Sequence, residues 1–231
     1  MTEEKVTPLY EDGDVILVRK PIGLLSVPSP SEEIAVSSLL QKERGGAFPI
    51  TPVNRLDRNV GGLMLLVKSA PAAAYYSAAV SNHASFVKEY LAVLEGSLSE
   101  KEGELRDLLF KDSAKNKTFV VTRMRKGVKA ASLSYRVLEE SEGLSLVLVR
   151  LHTGRTHQIR VQFASRGVPL YGDGKYGARG KDTPALYSHR LSYSDRKGKP
   201  KCFEAFPKNE YPWSLFSCLR ASLGEEKNSN E

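Results

Sequence analysis

The sequence is poor in the residues that build disulfide frameworks and metal clusters. Only Cys202 and Cys218 are cysteines, and they form no C-x-x-C pair. Neither a disulfide scaffold nor a zinc cluster is therefore expected, which fits a reducing cytoplasm. Long apolar runs are also missing, none approaching the roughly 20 residues that span a membrane. The start, Met1-Thr2-Glu3-Glu4-Lys5, lacks the basic and apolar regions of a secretory leader. A cytoplasmic protein without a membrane partner is the expectation. Internal repeats and long Ser/Gly linkers are absent as well, so nothing in the composition marks a boundary between domains.

What the chain has in excess is positive charge: 34 Lys and Arg against 27 Asp and Glu, a net charge of +7 and a pI near 9.3. An anionic partner is implied. Nucleic acid is favoured over a lipid surface because no lipid-facing amphipathic stretch accompanies the charge. A hydrophobic fraction of 41% over 231 residues is enough for a sizeable core.

Apolar runs between turn residues predict strands over 15–18, 63–67, 86–96, 119–122, 131–138, 144–151, 185–194 and 200–206. Helices are predicted over 34–42 and 70–82, the second capped by Ser69 with Pro71 tolerated in its first turn. Residues 10–14 and 139–143 read as turns, the stretch after Gly96 as a polar segment, 168–177 as a shaped glycine-rich loop and 225–231 as a frayed tail. His152 to Arg160 passes from a strand through Gly154 into a helix ending near Gly167, whose spacing puts His157 and Arg160 on one face. Strands before, between and after few helices predict an α+β fold. The expectation is a single domain on a mixed, mainly antiparallel sheet flanked by helices and loops, with 1–8 an extension, 9–220 the domain and 221–231 a polar tail.

Within this pattern, Asn54-Arg55-Leu56-Asp57-Arg58-Asn59-Val60-Gly61-Gly62 sets one carboxylate between two arginines and ends in a glycine pair. Nearby cations hold a carboxylate ionised, and groups in such surroundings collect at functional sites. An exposed ion pair of little energetic consequence is the competing reading. A second feature is the basic region containing Lys111, Lys115, Lys117, Arg123, Arg125, Lys126 and Lys129 around Phe119-Val120-Val121-Thr122. A basic hairpin beside a cleft can track phosphates, although charge runs are often only solvated faces.

Four stretches together carry more than each alone: Asn54-Arg55-Leu56-Asp57, Lys88-Glu89-Tyr90, Gly154-Arg155-Thr156-His157-Gln158-Ile159-Arg160 and Gly172-Asp173-Gly174-Lys175-Tyr176-Gly177. In this order they resemble the motifs of the RluA-type pseudouridine synthases, as do Lys20-Pro21-x-Gly23-Leu24 and Tyr187-Ser188-His189-Arg190-Leu191. The resemblance covers residues 9 to 207. Three positions depart from it: Asn54 and Gln162 stand where the family usually has histidine, and Gly61 where serine is common. Altered local RNA contacts are expected at the first two.

The resemblance implies a pseudouridine-synthase-like fold and isomerisation of a uridine already within rRNA or tRNA, with no cofactor and no metal. Asp57 would act on the ribose, either as a nucleophile at C1' or by removing a proton from C2' to give a glycal. Arg160 would pair with Asp57, and Tyr90 would stack on the detached uracil. Leu191 would complete the apolar slot. Arg55 would brace the gap left by a flipped nucleotide, and Arg58 would face the RNA with it. Arg155 and His157 would bind phosphate or buttress the loop, while Lys111, Lys115 and Lys117 would contact RNA. A monomeric, stand-alone catalytic domain without the small N-terminal RNA-binding domain of many relatives is expected. A non-catalytic RNA-binding or ribosome-assembly factor on the same fold is the alternative. A paired-carboxylate glycosidase is disfavoured because no second acid accompanies Asp57 in a matching motif.

Overall fold

The computed structural model describes residues 6–45, 48–81, 85–179 and 183–219. In chain order they form β1 (Pro8–Glu11), β2 (Val15–Lys20), α1 (Val36–Arg44), β3 (Thr51–Pro52), β4 (Gly61–Val67), α2 (Ala70–Ser81) and β5 (Phe86–Glu95). There follow β6 (Glu102–Asp112), β7 (Lys117–Val121), β8 (Val128–Ser141), β9 (Leu144–Leu151), α3 (Gln158–Ala164), β10 (Leu186–Ser194) and β11 (Pro200–Glu204). Strands joined by short turns and few helices make this an α+β fold, as the sequence predicts. The backbone gathers into two compact units, 1–88 with 188–205 and 89–187 with 206–231. β5 and β10 each contribute residues to both.

The first unit is organised on β4, whose seven residues are all buried. A strand with both faces covered reads as a continuous apolar run, and Gly61-Gly62-Leu63-Met64-Leu65-Leu66-Val67 is one. β2 lies antiparallel to it, Val15 opposite Val67 through Lys20 opposite Gly62. The strand order continues β1-β2-β4-β10, with β11 on β10 and β3 on β4. Val36 and Leu40 of α1 pack on Ile16, Val18, Met64 and Leu66. An aromatic layer joins α2 to the β10–β11 hairpin: Tyr76 meets Tyr193 edge-on at 5.5 Å, and Phe86 stacks on Tyr193 at 5.7 Å.

The second unit is an antiparallel sheet in the order β5-β9-β8-β6-β7. Leu91, Val93, Leu144 and Leu146 form one core with Phe216 and Leu219. Val161 of α3 packs on Leu109 and Ala131. Glu139 fastens the segment after β11, accepting from the backbone of Ser217 and Cys218 at 3.0 Å each.

The structure revises several local expectations. The segment read as polar after Gly96 contains β6, which exposes Glu102, Glu104, Arg106 and Lys111 and buries Leu105 and Leu109. The turn expected over 139–143 shrinks to Glu142 and Gly143, both with positive φ (52° and 76°), because β8 runs on to Ser141 past an irregularity between Val137 and Glu139. Two-residue turns with positive φ match the twist of a hairpin. Residues 8–11, expected partly as turn, form β1, leaving the turn to Asp12–Asp14, where Asp12 accepts from the N–H groups of Asp14 and Val15. The predicted tail, 225–231, lies outside the described residues.

Candidate active site

The loop carrying Asp57 is fastened to the first unit on both sides of the acid. At its start the buried Asn54 donates from Nδ2 to the Leu63 carbonyl at 3.2 Å and accepts at Oδ1 from Leu65 N–H at 2.8 Å, two backbone groups of β4. Immediately before the acid, Ser26 Oγ donates to the Leu56 carbonyl at 2.8 Å and accepts from Leu56 N–H at 3.0 Å. Immediately after it, the Arg58 carbonyl accepts from Lys20 Nζ at 3.0 Å and from Gly23 N–H at 2.9 Å. Lys20 is buried and also donates to the carbonyls of Leu24 (2.6 Å) and Pro21 (2.8 Å), so the cost of enclosing its ammonium is offset by oriented acceptors. Val60 N–H closes the turn on the Asp57 carbonyl at 3.1 Å. The backbone is held on every side while the Asp57 side chain remains half-exposed. That is the arrangement a pre-positioned carboxylate requires.

The loop ends where Gly62, at φ 114°, passes so close to β10 that a Cβ would lie 2.3 Å from the Ser188 carbonyl oxygen. Ser188 Oγ adds a bond to the Leu63 carbonyl at 2.9 Å. Of the two flanking arginines, Arg55 is exposed and has no ion pair among the described residues. Arg58 forms a forked pair with Glu32 at 2.7 and 3.3 Å. Its expected freedom to face RNA is thus shared with a carboxylate neighbour. Leu191 is fully enclosed in β10, so it can act on a base only by backing the residues in front of it.

In the second unit, Arg160 lies in α3 and is 4% exposed. Its Nε and Nη2 donate to the two carboxylate oxygens of fully buried Asp173 at 2.6 and 2.7 Å. A forked, charge-assisted pair of this kind fixes the plane of the guanidinium. α3 starts later than its sequence suggests: His157 precedes it in a left-handed conformation (φ 53°), so it does not share a helical face with Arg160. The turn before the helix is tied by Gln158, whose Oε1 accepts from Thr153 Oγ1 (2.7 Å) and Arg155 N–H (3.0 Å) and whose Nε2 donates to the Ser132 carbonyl (3.0 Å). Arg155 donates from Nε to the Ala130 carbonyl at 3.0 Å and is otherwise exposed. Tyr90 is buried in β5, opposite Val149 of β9. Two residues before it, Lys88 is 4% exposed, and burial pushes its ammonium below the ordinary lysine value.

The two unusual amides both turn inward. Asn54 is occupied by β4, and Gln162 has no exposed surface, donating to the Leu105 carbonyl at 3.2 Å and Asp107 Oδ2 at 2.7 Å. Side chains in these positions serve the protein's own packing, so the expectation of altered RNA contacts does not extend to direct ones. Lys111 and Lys115 are exposed on the β6–β7 hairpin, whereas Lys117 is half-buried over the rings of Phe119 and Tyr176 at 5.8 and 5.1 Å. Lys20, Ser26, Asp173 and Tyr176 hold site residues without having been assigned a role from sequence. Lys20, Asp173 and Tyr176 do stand in recognisable motifs, but Ser26 has no sequence signal. No described helix is long and apolar enough to cross a membrane.

The first unit thus holds a braced acid and the second a clamped arginine. A family model described as RNA pseudouridylate synthase matches residues 14–165. An uncharacterized RNA pseudouridine synthase of Aquifex aeolicus is 34% identical over 194 residues, covering 76% of this chain and 57% of that protein. Ribosomal large subunit pseudouridine synthase D of Borreliella burgdorferi is 31% identical over 214 residues, covering 87% and 65%. An uncharacterized RNA pseudouridine synthase of Zymomonas mobilis is 31% identical over 203 residues, covering 85% and 91%. The solved structure of human RNA pseudouridylate synthase domain containing 1 shares the fold at a TM-score of 0.70 and 22% identity, covering 93% of this chain and 88% of that one. The chain belongs to the RNA pseudouridylate synthase family. It spans a little over half the length of the Aquifex relative.

Proposed function

We propose that this chain converts a specific uridine of rRNA or tRNA into pseudouridine in the cytoplasm, with residues 9–220 acting as one catalytic domain. The observation that carries this reading is the bracing of the 54–60 loop by Asn54, Ser26 and Lys20, which fixes the backbone on both sides of the half-buried Asp57. Asp57 acts on the ribose, at C1' as a nucleophile or at C2' as a base, so that the N1 to C1' bond breaks and a C5 to C1' bond forms. Arg160, its plane set by Asp173, is the proposed partner of the acid. Tyr90 stacks on the free uracil, with Leu191 backing the slot. Reaching the ribose requires a flipped nucleotide at a cost of about a few kcal/mol, and the exposed Arg55 fills the space it leaves. Arg58, Arg155, His157 and the lysines 111, 115 and 117 supply contacts to the RNA. Ribosomal RNA is the favoured substrate, since ribosomal large subunit synthases stand among the relatives.

The test is release of tritium from uracil C5 in transcribed rRNA and tRNA. Release by the wild type and none by Asp57→Asn, at unchanged unfolding midpoint, is expected. Absence of release from every native-like RNA, or full activity of Asp57→Asn, would overturn the proposal.

A further inference from the structure

The phenol of Tyr176 is the meeting point of three segments. Its oxygen accepts the backbone N–H of Thr118, at the start of β7, at 2.9 Å. The same oxygen shares a hydrogen bond with His157 Nδ1, also at 2.9 Å, on the turn before α3. Its ring lies 5.1 Å from the Lys117 ammonium and 5.1 Å from the guanidinium carbon of Arg160. Tyr176 itself is set by the loop that carries Asp173, since its N–H donates to the Asp173 carbonyl at 3.0 Å. Thr118 strengthens the junction, being buried and donating from Oγ1 to the Thr156 carbonyl at 2.9 Å.

A ring's negative face attracts cations, more strongly where water is excluded. Two cations on one aromatic ring repel each other unless an anion neutralises them. Asp173 does so for Arg160. No carboxylate forms an ion pair with Lys117 among the described residues, so an RNA phosphate is the complementary group for this half-buried ammonium. Lys117 differs in this from Lys111 and Lys115, which are exposed and carry no such aromatic support.

We propose that Tyr176 is a positioning residue that holds Lys117, as a phosphate ligand, and Arg160 in one rigid arrangement, so that docking of RNA on β7 and orientation of the arginine depend on the same side chain. The inference rests on the proposed function for its catalytic half only.

The experiment measures the salt dependence of binding to a fluorescently labelled RNA stem–loop, together with single-turnover tritium release at saturating RNA. Lys117→Met is expected to reduce the slope of log affinity against log salt by about 0.7 to 0.9, the loss of one phosphate contact. Tyr176→Leu reduces it equally, Tyr176→Phe by part of that amount, and either combined with Lys117→Met loses no more than Lys117→Met alone. Both Tyr176 variants also slow release, the leucine variant by about tenfold, a penalty of the size left by a displaced catalytic partner. Wild-type slopes in the Tyr176 variants, or losses that add to that of Lys117→Met, overturn the inference, as does failure of the wild type to bind the stem–loop. If Tyr176→Leu does not fold, Tyr176→Phe carries the test. A wild type that binds the stem–loop but releases no tritium from it or from any native-like rRNA or tRNA sinks the proposed reaction, while the slopes still decide the role of Tyr176 in RNA docking.

Discussion

Ser26 and Leu56 exchange two hydrogen bonds across 30 positions of sequence, at 2.8 and 3.0 Å, directly beside Asp57. Both partners are buried, so removing the hydroxyl strands an N–H and a carbonyl without water to replace it. Ser26→Ala is expected to lower stability by ~1–3 kcal/mol in urea titration. It should slow single-turnover tritium release by ~10- to 100-fold through misplacement of the acid. Wild-type kinetics in a destabilised Ser26→Ala protein would show that the loop holds Asp57 without this tie.

Asp173 supplies both oxygens for Arg160 inside the second unit. Breaking a buried pair from one side leaves an uncompensated charge, at a cost of ~3–5 kcal/mol. Asp173→Ala should therefore unfold at markedly lower denaturant concentration. Replacing both partners by apolar residues should recover much of that stability while abolishing turnover. Equal stability of the single and double variants would count against an uncompensated arginine as the cause.

Lys88 carries a charge that burial disfavours, its value lying below the ordinary 10.5. The unfolded chain holds this proton more tightly than the folded one, so the penalty is absent above about pH 10.5, grows as pH falls below it and is complete under the folded-state value. Lys88→Met should consequently raise the unfolding midpoint at neutral pH, with the difference from wild type narrowing through the alkaline range. A midpoint difference independent of pH would assign the effect to packing.

Neutralising Lys111, Lys115 and Lys117 together should weaken RNA binding and reduce its salt slope by about 2.1 to 2.7, as expected when three cations leave the phosphate track. Fluorescence anisotropy over a salt series measures this directly. An unchanged slope would mean that the hairpin does not touch the backbone.

The sequence was most legible where one physical signal dominated. The apolar run of β4, the alanine-rich α2 with Ser69 ahead of it, and the hairpin β10–β11 follow from patterning and caps alone. β6 was hidden because its outward face is charged and its inward leucines are too widely spaced to look like a strand. Positive φ at His157 is a tertiary effect, imposed by the ties around Gln158 and Tyr176, and no local propensity announces it. The motifs marked Asp57, Tyr90 and Arg160. The bonds that hold their surroundings come from Ser26, Asn54 and Gln162, common polar residues whose burial can be known only from the fold. The division into two compact units was equally silent, since continuous strands rather than a linker pass between them.

The clamps at the two ends of the acid's loop also fix its contour. Asn54 is seated on β4 at one end, and at the other Gly62 lies against β10 with no space for a side chain. A strap anchored this way cannot take up slack. Inserting or deleting one residue between them would have to tear an anchor loose, whereas exchanging residues at constant length would leave both seated. The stretch is thus a cassette of set length, open to changes of chemistry at its exposed arginines and closed to changes in count.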